Sequence, residues 1–459
     1  MKIIGTKYCG HDSAVCLIDT NKKSIFAMST ERVTRIKHDS MDITPILSEY
    51  NFDQVDYVSH SYNDFKDEGK DGELIEQMTF NKDIEKAIRL IVKPTYIKDL
   101  SISRFKKNKL IFKSLFINFS AVKSYYTAKI MRALVKETPQ GNEAAFTKYI
   151  RNNFNNNNLK PKEILFFEHH LCHATPSYYL SPFNGDRAIA LTIDGQGDGF
   201  FSKLYLFNGP NDFELIGESK ASLIGSGDRF ASIGRIYNYF TKAMDLHPNS
   251  DEGKVEALAA FGVADQNLLS MLKDTTIINK EKLSIDFNFK KLLIFYDMTF
   301  LKEQRKKIGD ENFCAVVQTY LESTIIDYLN IVYQQFPINN LCLSGGVAAN
   351  IIMSLNIYEK TYFKNIFVLP AMADDGLAIG SAILTAINYD QDLSWLKGHT
   401  MPYFGDSYKK EEVRACLDIF PGIVYEDLKD AWPKHAAKSV SEGKICALFH
   451  GKMEFGPRA

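Results

Sequence analysis

No CxxC pair occurs in this sequence. Its seven cysteines (Cys9, Cys16, Cys172, Cys314, Cys342, Cys416 and Cys446) are odd in number and scattered. That argues against a disulfide framework and for reduced cytosolic thiols. Neither charge is in excess: 55 Lys and Arg stand against 56 Asp and Glu. A globally basic nucleic-acid coat and an acidic disordered tail are thereby excluded. No apolar run approaches the roughly 18 residues that a membrane span needs. The opening MKIIGTKYCGHDSA is broken by Gly5, Lys7 and His11 before a long apolar region forms, so it does not read as a signal peptide. A cytoplasmic protein without a membrane span is the expectation. At 459 residues, 45% of them hydrophobic and 24% charged, the chain is of ordinary globular composition and too long for one compact core. Two or three domains are expected.

The first forty residues read as strands around turns. Ile3-Ile4-Gly5, Ala14–Ile18 and Ser24–Met28 are apolar runs, separated by Cys9–Ser13 and by Asp19-Thr20-Asn21. From Leu100 to Lys136 there is no acid, against nine Lys or Arg, and apolar residues recur at helical spacing from Leu110 to Val122. This stretch reads as part of a basic helical insertion over residues 65–163, closed by the Asn-rich run from Asn152 to Asn158. Its basic face is either a solvated surface or a site for an acidic substrate.

Beyond it the pattern turns α/β. Glu163–Phe167 is a strand candidate, followed at once by Glu168-His169-His170-Leu171-Cys172-His173-Ala174. Three of the ten histidines lie within five positions. His169 and His173, four apart, share one face of a helix and offer half of a divalent-metal site. Leu171 and Cys172 fill the middle, so this is not the HExxH of a zinc protease.

Two strands then end in glycine turns. Ala188–Ile193 leads into Asp194-Gly195-Gln196-Gly197-Asp198-Gly199, and Asn340–Leu343 leads into Ser344-Gly345-Gly346-Val347-Ala348-Ala349-Asn350. A strand, a glycine turn and a helix N-terminus make an anion or nucleotide site. Neither turn is GxGxxG or GxxxxGK[ST], so a Rossmann site and a Walker loop are not supported. Glycine turns in separate halves of the chain suit a nucleotide site split between two lobes. Asp251–Gly262 reads as a charged turn and a short helix ended by Gly262, with Lys254 meeting a phosphate or pairing with Asp251 or Glu256. After a last strand at Ile366–Leu369, Asp374 can supply a carboxylate to the two histidines.

Several segments together resemble a known family. HDSA (His11–Ala14), ERVTRIKHD (Glu31–Asp39), EHHLCHA (Glu168–Ala174), DGQGD (Asp194–Asp198), EGKVEALAAFG (Glu252–Gly262), LSGGVAAN (Leu343–Asn350), ADDGLAIG (Ala373–Gly380) and the final GKMEFGPRA resemble the carbamoyltransferases that modify nodulation factors and antibiotics. They are also similar to the carbamoyl-handling part of the hydrogenase maturation factors. The resemblance implies a two-lobed, actin-like α/β domain (the sugar-kinase and heat-shock ATPase architecture) over residues 1–395. It implies a YrdC-like α/β domain beginning at 396–459, opened by Tyr403-Phe404-Gly405 and incomplete against the family pattern.

The same resemblance implies a chemistry. Carbamoyl phosphate and ATP give carbamoyl-adenylate, and the carbamoyl group then moves to a hydroxyl of a small molecule or sugar. By analogy His169, His173 and Asp374 hold a divalent metal, with Asp194 a possible fourth ligand; iron(II) comes first, then manganese or zinc. Asp194, Gly195, Gly197, Gly345, Gly346 and Asn350 would hold the nucleotide. His11, Asp12, Glu252 and Lys254 would serve proton transfer, substrate orientation and phosphate contact. Cys9 stands where some members carry an acid. The alternatives from the residues are a tRNA threonylcarbamoyl transferase-like enzyme, with the basic stretch on RNA; a sugar-kinase-like phosphotransferase; and a non-catalytic nucleotide- and metal-binding module. No aromatic-plus-glycine RNA module is present, so nucleic acid is not the expected partner.

Overall fold

In the computed structural model the described residues are 1–7, 12–38, 43–50, 52, 54–61, 151, 154, 157, 159–223 and 230–457. Most of the basic insertion, with Cys9 and His11, lies outside them.

Two mixed sheets share one topology. The first is built from β1 (Lys2–Lys7), β2 (Ala14–Asp19), β3 (Ser24–Ser29), β4 (Tyr57–His60) and β5 (Glu163–Phe166), in the order β3-β2-β1-β4-β5. β1, β2 and β3 pair antiparallel, and β1, β4 and β5 pair parallel. The second is built from β6 (Ala188–Gly197), β7 (Phe200–Gly209), β8 (Asp212–Lys220), β9 (Asn340–Ser344) and β10 (Asn365–Val368), in the order β10-β9-β6-β7-β8. Its first three strands again pair antiparallel, and β6, β9 and β10 pair parallel. The same three-strand meander plus two parallel strands thus occurs twice, as the two-lobed actin-like architecture requires. Each strand expected from the apolar runs is present.

Two helices fill the space between the sheets. α7 (Leu377–Asn388) packs on β1, β2 and β4, while α2 (His169–Tyr179) packs on β6, β7 and β9 and against α7 itself. α7 reads LAIGSAILTAIN and is buried from Leu377 to Ala386, as a helix covered on all sides must be. Small residues set its distance from its neighbours. A Cβ on Gly5 would lie 1.9 Å from the Ala378 carbonyl oxygen, and one on Gly380 would lie 1.9 Å from that of Cys172. Backbone therefore meets backbone on both sides of α7, and α2 is drawn close to its N-terminal end.

The remaining helices used below are α1 (Thr30–Thr34), α3 (Ile233–Ala243), α4 (Glu252–Ala259), α5 (Asp310–Gln335) and α6 (Ile351–Lys360). Gly262 does not cap α4 in the left-handed region as its position suggests. A Cβ there would lie 2.1 Å from the Glu311 carbonyl oxygen, so its smallness serves packing against α5.

At the C-terminal end Phe404 and Phe455 are buried in the layer between the sheets. The Ala27 N–H donates to the Phe404 carbonyl, and the Phe455 N–H donates to that of Pro402. From 407 to 452 no residue is buried; the stretch carries two α-helices, a single 3-10 turn and no strand. No helix among the described residues is long and apolar enough to cross a membrane.

Candidate active site

Four side chains from three parts of the fold converge. α2 begins at His169 because Glu168 caps it: the Leu171 N–H donates to Oε2 of Glu168 at 2.7 Å. Tyr205 and Lys203 on β7 hold the same carboxylate at 3.1 and 3.2 Å, and the His169 N–H donates to Asp198 at 2.7 Å. With its first turn fixed, α2 presents His169 and His173 on one face, their Nε2 atoms 3.1 Å apart. Asp194 arrives from the end of β6, where a register shift between Ile193 and Gly197 interrupts the pairing with β7. Its Oδ2 lies 3.2 Å from Nε2 of His169 and 3.1 Å from Nε2 of His173. Asp374, just before α7, places Oδ1 at 3.9 and 3.6 Å from the same two nitrogens.

One ligand atom from each of His169, His173, Asp194 and Asp374 lies within 4.8 Å of the others. Two carboxylates and two imidazoles this close, and largely buried, suit one divalent cation. Lys7 on β1 secures the second oxygen of Asp374 at 3.2 Å, its side chain only 6% exposed. His170 faces elsewhere: its Nδ1 meets Thr192 at 2.8 Å and its Nε2 meets the Phe200 carbonyl at 3.1 Å. Burial pushes it down to about 4, so it is a neutral strut between α2 and β6.

The cluster opens on a cavity of about 410 Å³. Lys7, Asp12, Lys37 and His38 line one wall; Gly195, Arg235, Glu252, Glu256, Gly346 and Asn350 line the other. The cavity therefore lies between the two sheet units, with His169, Asp194 and Asp374 of the four-residue cluster in its lining.

A family model for the carbamoyltransferase N-terminus matches residues 2–383. The chain belongs to the carbamoyltransferase family. A relative from Methanocaldococcus jannaschii, the uncharacterized protein MJ1058, is 40% identical over 478 residues, spanning 100% of this chain and 75% of its own length. The 3'-hydroxymethylcephem-O-carbamoyltransferase of Amycolatopsis lactamdurans is 23% identical over 305 residues, spanning 65% of this chain and 54% of its own length. This chain thus covers between about half and three quarters of those relatives. Among solved structures, full-length HypF in its phosphate- and nucleotide-bound form aligns with 86% of this chain and 56% of its own at 14% identity, with a TM-score of 0.38.

The residues singled out by sequence divide into three groups. Asp12, Glu252, Gly195, Gly346 and Asn350 do line the cavity with His169, Asp194 and Asp374. Glu252 opens α4 and accepts the Asn249 N–H at 2.7 Å; burial raises its carboxyl above the usual range. Asn350 caps α6 by accepting the Met353 N–H at 2.8 Å and also bonds Gln318, so its amide is already engaged by protein. Three residues are not brought to the cavity. Lys254 is 65% exposed and pairs with Asp251 at 2.8 Å, the plain ion pair rather than a phosphate contact. Gly197 and Gly345 stand behind the wall. A Cβ on Gly197 would lie 2.1 Å from the His169 ring, and one on Gly345, at φ +92°, would lie 2.2 Å from the Ile193 carbonyl oxygen. Their smallness makes room for the His169 ring and for the Ile193 backbone. His11 lies outside the described residues. Sequence reasoning passed over Lys7, His38 and Arg235; the signal for Lys7 was a lysine at the end of the strand that carries Ile3 and Ile4.

The cluster carries a pH dependence whose sign is fixed. Burial disfavours a charged His173, but the hydrogen bonds to Asp194 and Asp374 outweigh it and raise the group to about 9. Without metal, a protonated His173 stabilises the fold fully below the ordinary value near 6.5, and that contribution is lost as pH rises through 9. A metal needs the neutral imidazole, so ion and proton compete. The melting temperature of metal-free protein is expected to fall between pH 6.5 and 9, while apparent metal affinity rises over the same interval and levels off above it. Thermal scans with and without manganese across that range check both trends; affinity that falls with pH contradicts them.

Proposed function

We propose that this protein moves a carbamoyl group from carbamoyl-adenylate, formed from carbamoyl phosphate and ATP, to a hydroxyl of a small molecule or sugar. The observation that carries the reading is the His169–His173–Asp194–Asp374 cluster at the base of a cavity enclosed by both halves of a duplicated fold. The name of the cephem relative, an O-carbamoyltransferase, supports a hydroxyl acceptor. A carbamoyl carbon is a weak electrophile, and the mixed anhydride gives it a phosphate leaving group.

The four residues would hold one divalent ion, with iron(II) the first candidate and manganese or zinc the others. When bound, such an ion neutralises the phosphate charge that grows as the anhydride opens. The chain's own residues do the rest. Gly195 and Gly346 leave room for backbone to approach the nucleotide, and Arg235, which lies 3.7 Å from a Cβ placed on Gly195, offers a guanidinium to its phosphate. Lys7 holds Asp374 and adds a positive charge to the same wall. Glu252 and Glu256 present carboxylates from α4, suited to hydroxyls of nucleotide or acceptor. Residues 396–459 are proposed as the start of a YrdC-like unit whose ends rest on the first domain. A cytoplasmic location suits the buried free thiols of Cys16, Cys172, Cys314 and Cys342.

The test is to supply carbamoyl-adenylate labelled in the carbamoyl group, with metal-loaded protein and glycerol as probe alcohol. Labelled glycerol carbamate and AMP in equal amounts are expected. Donor that is bound but never transferred would favour a nucleotide-binding module instead.

A further inference from the structure

We propose that His38, oriented by Asp12, is the general base that takes the proton from the acceptor hydroxyl. The proposal rests on the carbamoyl-transfer reading above and assigns a step within it. Nδ1 of His38 lies 2.8 Å from Oδ1 of Asp12, and both residues line the cavity that holds the metal cluster. A carboxylate on Nδ1 fixes the imidazole with its proton there, leaving the lone pair on Nε2. Nε2 is buried and has no hydrogen-bond partner among the described residues. Such an atom costs about 1–3 kcal/mol in a folded protein, a cost that an acceptor hydroxyl donating to it removes.

The backbone is shaped for this pair. Asp12, Arg35 and His38 have φ of 58°, 60° and 54°, three non-glycine residues in the left-handed region. Conformations of that kind persist where surrounding contacts hold them, and they gather at functional sites. Arg35 ends α1 there, its N–H donating to the Glu31 carbonyl at 2.9 Å, and the His38 N–H donates to Oε2 of Glu31 at 3.0 Å. The loop after α1 is thereby folded back so that His38 meets Asp12 from the loop between β1 and β2. Asp12, Glu31 and His38 also bring three ligand-type atoms together. With Glu31 bonded to a backbone N–H and Asp12 to the imidazole, hydrogen bonding accounts for the group without an ion.

The step balances. The hydroxyl oxygen attacks the carbamoyl carbon and forms the new C–O bond while Nε2 takes its proton. The C–O bond to the adenylate phosphate then breaks, and AMP leaves with the electron pair. The imidazolium, stabilised by Asp12, returns its proton to solvent.

The test uses the full chain, metal-loaded, with carbamoyl-adenylate as donor and glycerol as probe acceptor. His38→Ala is expected to lower kcat for transfer by about 10²–10⁴-fold, and imidazole added to the buffer is expected to restore part of it. Asp12→Asn is expected to lose less, with the loss in kcat rather than KM. Metal content and melting temperature are compared in each variant, and His38→Gln stands in should the alanine variant fail to fold. Transfer by His38→Ala or His38→Gln within about twofold of wild type overturns the proposal, as does imidazole rescue of His11→Ala but not of His38→Ala. Loss of metal from His38→Ala would make it a ligand and also overturn it. No transfer by the wild-type chain overturns the reading and this step together.

Discussion

Replacing His169 and His173 together with alanine is expected to reduce bound metal from about one divalent ion per chain to nearly none, and carbamoyl transfer with it. The two Nε2 atoms are half of the four-atom donor set. Without them Asp194 and Asp374 remain as two carboxylates with Lys7 as their neighbour, which attract a cation but do not fix it. His170→Ala is the control. Its ring nitrogens bond Thr192 and the Phe200 carbonyl, so its loss should cost about 1–3 kcal/mol of stability and leave the metal in place. Elemental analysis of protein purified without chelators separates the two outcomes. Full metal content in the double variant would show that the ion sits elsewhere.

Gly197→Ala should act on the same site from behind. An added Cβ would lie 2.1 Å from Cδ2 and 2.5 Å from Nε2 of His169, and Gly197 is tied to β7 by its pairing with Phe200. The ring has to move, and a supporting-group change of this kind weakens metal binding by about 10–100-fold. Gly209→Ala, at the β7–β8 turn where Gly209 pairs with Asp212, meets nothing within 4 Å and should leave metal affinity unchanged. Equal metal affinities in the two variants would mean that Gly197 does not seat the ligand.

Much of this was legible in the sequence because it is local. Alternating and continuous apolar runs marked β1, β2, β3, β6, β9 and β10, and the spacing of His169 and His173 placed two imidazoles on one helix face. Long-range facts were not legible. That Asp374 reaches those histidines depends on the contact of Gly380 with the backbone of Cys172, which sets α2 against α7. The DGQGD stretch reads as a turn, yet β6 continues through Gly197, and the register shift at Ile193 to Gly197 brings Asp194 into contact with both imidazoles. Glycines that looked like a phosphate cradle proved to be of two kinds, since Gly195 and Gly346 face the cavity while Gly197 and Gly345 face neighbouring protein. Lys254, attractive as a phosphate ligand by charge alone, is exposed and pairs with the buried Asp251. Nor could spacing reveal the meeting of His38 with Asp12, where Asp12, Arg35 and His38 all sit in the left-handed region.

The most direct test is crystallographic. Crystals grown with manganese and carbamoyl-adenylate, measured with anomalous scattering at the metal edge, should show one strong peak bounded by His169, His173, Asp194 and Asp374, with the adenylate in the cavity between the two sheets. A peak at any other group of residues, or an adenylate bound away from that cavity, would contradict the assignment of this cluster as the carbamoyl-transfer centre.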